Sequence, residues 1–115
     1  MSSSTVATIL ANREGGTLKL DGLPLPEVGY FVGGLIPALV VPHDESAESE
    51  IEDFLLDAGT APGVDFLGWW TDSEDGRLWV DGSDWHLLRT DALRVAAERG
   101  EIAIYDIAGQ AEIRV

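Results

Sequence analysis

The sequence predicts an α+β fold: one domain with a mostly antiparallel sheet of short, hairpin-paired strands and two helices. Three observations carry that expectation. At 115 residues the chain suits one domain that buries about two-thirds of its unfolded surface. It is 45% hydrophobic with four Trp, which argues against global disorder. Strand-like runs come in sequential pairs across short turns, whereas two segments carry helical periodicity, so helices do not alternate regularly with strands.

Met1–Ser4 reads as a flexible polar tail, leaving 5–115 as the domain. Thr5–Ala11 and Thr17–Leu20 read as two strands joined across Asn12–Gly16, where glycine can supply positive φ. Gly22–Pro26 is an extended connector, because each proline also restricts the residue before it. Val28–Val32 and Ala38–Val41 are β-branched, apolar runs, separated by Gly33, Gly34 and Pro37. Ser46–Ala58 places Ala47, Ile51, Phe54, Leu55 and Ala58 on one helical face. Ser46 is its expected N-cap, and Gly59 its expected stop. Phe66–Thr71 and Arg77–Asp81 form a hairpin around Asp72–Gly76. Thr90–Arg99 is the second helix, capped by Thr90 and ended by Gly100. Ile102–Ile107 and Glu112–Val115 close the chain as an antiparallel pair, for about eight strands in all.

The formal net charge is −14, which disfavours direct contact with nucleic acid or an anionic membrane. The excess is localised. Thirteen of the 21 acidic residues lie between Asp44 and Asp84, where Arg77 is the single cation. On the first helix, Glu45, Glu48 and Glu52 stack at helical spacing, with Glu50, Asp53 and Asp57 on an adjoining stripe. Each like-charged pair costs a few tenths of a kcal/mol. The second helix instead intersperses Asp91, Arg94, Glu98 and Arg99. An acidic solubility surface explains the first helix as well as a surface shaped for a cationic partner does.

All four tryptophans, Trp69, Trp70, Trp79 and Trp85, fall in this acidic stretch. Neighbouring strand residues face opposite ways, so Trp69 and Trp70 cannot share one core. A four-residue turn sets Trp70 opposite Trp79; a two-residue Asp75-Gly76 turn does not. Core packing accounts for at least two of the indoles. An aromatic–carboxylate patch of Trp69, Asp72, Asp81 and Trp85 would suit an arginine-rich protein surface, or a sugar ring.

Enzyme and cofactor chemistry finds little support. There is no cysteine, which excludes disulfides, thiolate metal sites and a cysteine nucleophile. His43 and His86 form no metal-ligand motif. Aligning Gly76 with the invariant glycine of a calcium loop puts Gly82 where a bidentate Glu is required. Paired carboxylates are abundant, so pairing alone is unspecific. No cofactor and no metal site is expected, and Gly29, Gly33 and Gly34 read as turn or close-packing residues. Neither a signal peptide nor a membrane-spanning run is evident, so a cytoplasmic location is the default expectation.

Tyr30–Gly34 with Pro37–Val40, Gly68-Trp69-Trp70, Glu101–Asp106 and Glu112–Val115 together resemble the layout of small accessory proteins of actinobacterial phages and prophages. The resemblance transfers no catalytic residue. It implies a protein that binds and inhibits or redirects a host protein, in the host cytoplasm. The resulting expectation is a non-enzymatic acidic binding module directed at a basic, nucleic-acid-binding host protein, with nucleic-acid mimicry as its narrowest form. The expected binding residues are Glu45, Glu48, Glu52, Asp53, Asp57, Trp69, Asp72, Asp75, Asp81 and Trp85. A small-molecule or carbohydrate binder using Trp and Asp is the alternative.

Overall fold

The hairpin of β4 (Phe66–Thr71) and β5 (Arg77–His86) organises the molecule. A computed structural model describes residues 3–115. Trp70 pairs with Trp79 and Thr71 with Leu78, so the connection is the four-residue turn Ser73–Gly76. Asp72 Oδ1 accepts the Glu74 amide (2.7 Å) and Asp75 Oδ1 accepts the Arg77 amide (2.9 Å). These side chains shape the turn from within it. Gly76 supplies its positive φ of 72°.

β5 is longer than the sequence suggested, and it joins two parts of one antiparallel sheet. Along one side it pairs with β4, whose far edge carries β1 (Gly16–Lys19). Along the other it pairs first with β3 (Leu39–Pro42), then with β2 (Tyr30–Val32). β2 continues to β6 (Ala103–Asp106) and β7 (Ala111–Arg114). The described residues therefore form an α+β fold with seven strands, not eight, and three α-helices, not two. None of these helices is long and apolar enough to cross a membrane.

All three helices lie on one side of the sheet. α2 (Glu48–Thr60) buries Ile51, Phe54, Leu55 and Ala58 against Leu67, Trp69, Leu78 and Val80. α3 (Arg89–Arg99) buries Ala92 and Ala96 against Val32 and Ile104. Val32 pairs with Asp84, and alternation along β5 puts Asp84 on the side of Val80. Both cores thus share one face, and among the described residues the opposite face carries no helix.

The first segment departs from expectation. Residues 5–11 lie in helix α1 (Ser3–Ala11), not in a strand. Val6 and Ile9 are one turn apart and buried with α2 in the same core. That amphipathic burial outweighs the strand propensity of Thr, Val and Ile. Ser3 and Ser4 open the helix, and Met1 and Ser2 of the expected tail lie outside the described residues.

The expected caps also shift. Asp44, rather than Ser46, caps a 3-10 turn over Glu45–Ala47, accepting the Ser46 amide (2.8 Å) and hydroxyl. α2 ends at Thr60 with Ala61 as its cap, so Gly59 is internal. Thr90 lies within α3, whose N-cap is Leu88. Gly100 does stop α3, in the left-handed conformation at φ 76°.

Candidate functional site

The helix-free face is hollowed by glycine. Across the β4–β5 ladder Gly68 stands opposite Asp81, and Thr17 of β1 stands opposite Gly68. No side chain from Gly68 therefore covers the Asp81 carboxylate. On its other flank the chain leaving β2 passes as Gly33-Gly34. A Cβ at Gly33 would collide with Asp81 Oδ2 and stand 3.0 Å from Glu101 Oε1. A Cβ at Gly34 would stand 3.0 Å from Glu101 Oε2. Glycine in these positions admits two carboxylates beside the backbone. The result is an open groove of about 990 Å³ whose lining includes Trp70, Trp79, Asp81, Glu101 and Tyr105.

The groove has an aromatic wall and an acidic end. Trp70 and Trp79 are cross-strand partners whose rings stack at 5.8 Å with 13° between planes. Trp70 is 43% exposed. Trp79 is half-buried, and its Nε1 is shielded with no acceptor among the described residues. Phe31 forms part of the lining, packing on Phe66 at 4.8 Å and on Tyr105 at 6.4 Å.

At the acidic end, burial pushes the Asp81 carboxyl up to about 6, and the neighbouring Glu101 charge adds to the rise. The Gly82 and Gly34 amides pull the other way without cancelling it. Arg99 does not neutralise Asp81. It is committed to Asp84, donating to both carboxylate oxygens at 2.9 and 2.7 Å, and to the carbonyls of Val32 and Gly33. Burial works to raise the Asp84 pKa, but the Arg99 hydrogen bonds and charge, with His86 at 3.1 Å, hold it below the ordinary value. That ion pair anchors the end of α3 to β2 and β5 and so positions Glu101.

The expected binding residues divide into separate places. Glu45, Glu48, Asp53 and Asp57 are exposed, and Glu52 half-exposed, on the 3-10 turn and α2. α2 covers the opposite side of the sheet from Trp70, Trp79 and Asp81. The acidic helix and the stacked Trp70–Trp79 pair therefore do not share a face. Trp69 is 5% exposed, packs in the α2 core and donates to the Asn12 carbonyl at 3.0 Å. It is a core residue. Asp72 and Asp75 build the turn.

Trp85 is paired with Phe31, on the groove side of the sheet by alternation, and donates to the Val28 carbonyl at 2.8 Å. Of the ten expected residues, Asp81 and Trp69 line the groove, and Trp69 is otherwise buried in the α2 core. Trp70, Trp79 and Glu101 were missing from that set. Gly68 inside an otherwise apolar strand was the available sign that something approaches closely there.

Comparison with family models, with curated proteins and with solved structures finds no match to this chain. Among the described residues no group of three or more His, Asp or Glu could hold a metal ion.

Proposed function

We propose that this protein is a non-enzymatic binding module that receives a cationic segment of a partner protein in the helix-free groove. The observation that carries the reading is the stacked Trp70–Trp79 pair, with Trp70 exposed, ending at the carboxylates Asp81 and Glu101. A guanidinium or ammonium group laid on the indole face gains about 0.5–2 kcal/mol by cation–π attraction. Its charge-assisted hydrogen bonds to a carboxylate are stronger than neutral ones. The acidic α2 on the far side of the sheet then adds a long-range field that raises the encounter rate without forming the contact.

The resemblance to phage accessory proteins suggests a basic host protein as partner, with occlusion of its nucleic-acid-binding surface as the consequence. Titration with an arginine-rich peptide, followed by calorimetry, tests the groove. Trp70→Ala or Asp81→Asn should weaken binding about tenfold. Neutralising Glu48, Asp53 and Asp57 together should mainly reduce the association rate. Equal affinity in all three variants contradicts the reading.

A carbohydrate ligand is the second reading, favoured by a groove of small-ligand volume whose Trp70 ring faces solvent beside a carboxylate. Binding to neutral oligosaccharides, with no response to the arginine peptide, would select it.

A further inference from the structure

β7 lies at the open edge of the sheet and pairs on one side with β6. The Val115 amide donates to the Ile102 carbonyl at 3.0 Å. That bond fixes the phase of the ladder. Residues 111, 113 and 115 turn their backbone groups toward β6, so Glu112 and Arg114 turn theirs to the open edge. Both side chains are exposed, and among the described residues neither has an ion-pair partner.

We propose that β7 is a self-complementary edge at which two copies of this chain pair antiparallel, with Glu112 of one copy opposite the partner's Arg114. The register follows from three constraints. Outward-facing backbone groups must meet outward-facing groups, which leaves alignments that shift by two residues. Centring the pair on Glu112 opposes two carboxylates, and centring it on Arg114 opposes two guanidinium groups. Centring it on Ile113 instead gives two Glu–Arg cross-strand pairs and sets Ile113 against its own copy. Ile113 is half-buried on the core of Val32, Ala96 and Ile104, so the pairing extends an existing apolar cluster. Many natural edges are protected by charge; a Glu-Ile-Arg edge in this order matches itself, as a two-fold interface requires.

The two-fold axis stands perpendicular to the sheet, so both helix-free grooves open on the same side of the continuous sheet. Two four-residue strands bury less than a standard interface, so the association is weak and concentration-dependent. The −14 charge on each copy opposes it, making physiological ionic strength the right condition, where exposed charges are screened beyond about 8 Å.

Sedimentation velocity at protein concentrations up to about 1 mM tests the pairing, with circular dichroism confirming that each variant is folded. The native chain is expected to dimerise. Glu112→Arg alone and Arg114→Glu alone each place like charges opposite one another, and each should weaken association at least tenfold. The double variant restores opposite charges and should regain it. Amide exchange at residues 112 and 114 should slow in the native dimer. A chain that stays monomeric throughout overturns the proposal. So does dimerisation unaffected by either single reversal, or a folded double variant that fails to recover.

Discussion

Asp81 is the residue on which the groove's chemistry turns, and its setting explains its elevated pKa. A carboxyl raised from 3.8 to about 6 binds more protons in the folded chain than in the unfolded one. Its cost is absent below the unfolded value and complete once pH exceeds the folded value. Asp81→Asn should therefore raise stability at pH 7, by about 2 kcal/mol after allowance for solvent screening. The gain should shrink through pH 6 to 4 and vanish near pH 4, as followed by urea denaturation. The native chain's affinity for a cationic peptide should also fall as pH drops through 6, because the neutral carboxyl no longer pairs with a cation. Asp84 behaves oppositely: its depressed pKa gives stability that is present above the ordinary carboxyl value and lost as pH falls through the depressed one. At this scale the sequence revealed part of the site. It required Trp69 and Trp70 to face opposite ways, but not which one met the core. It offered Asp81 as one of thirteen acids, because Asp81 and Glu101 are brought together in space beside Gly33, which lies far from both along the chain.

At the level of elements, α2 shows how tertiary burial sustains a helix that its own surface disfavours. Ile51 and Ala58 are fully buried, while Asp57 stands exposed near the negative end of the helix dipole. Asp57→Lys should stabilise the protein by about 0.5 kcal/mol. It should leave the groove's equilibrium affinity nearly unchanged, measured by denaturation and peptide titration on the same preparation. α1 teaches the complementary lesson. Its Thr, Val and Ile content favours a strand, yet Val6 and Ile9 meet the α2 core at helical spacing. Ile9→Ala should cost about 2–5 kcal/mol, a loss that a short, half-exposed edge strand would not show. Most other elements were legible because turn chemistry marks their ends: the Asp72–Gly76 connection and Gly100 fall where the sequence placed them. The full reach of β5 was hidden, since Gly82-Ser83-Asp84 looks like a stop, whereas here it carries β5 from β3 to β2.

On the scale of the whole molecule, charge and recognition separate. The acidic middle third is divided by the sheet into a solvated helix on one side and a carboxylate-ended aromatic groove on the other. The sequence could show the charge excess between Asp44 and Asp84, but adjacency along the chain says nothing about which side of a sheet each residue occupies. A long-range negative field with a local aromatic contact predicts an association rate that falls steeply with salt and a dissociation rate that depends chiefly on Trp70 and Asp81. The most direct measurement is an amide and indole NMR map of the isotopically labelled chain during titration with an arginine-rich peptide. Binding in the groove should perturb chiefly the Trp70 and Trp79 indole Nε1 groups and the Gly33, Gly34 and Asp81 amides. Perturbations confined to Glu48–Asp57, with the groove unmoved, would contradict it.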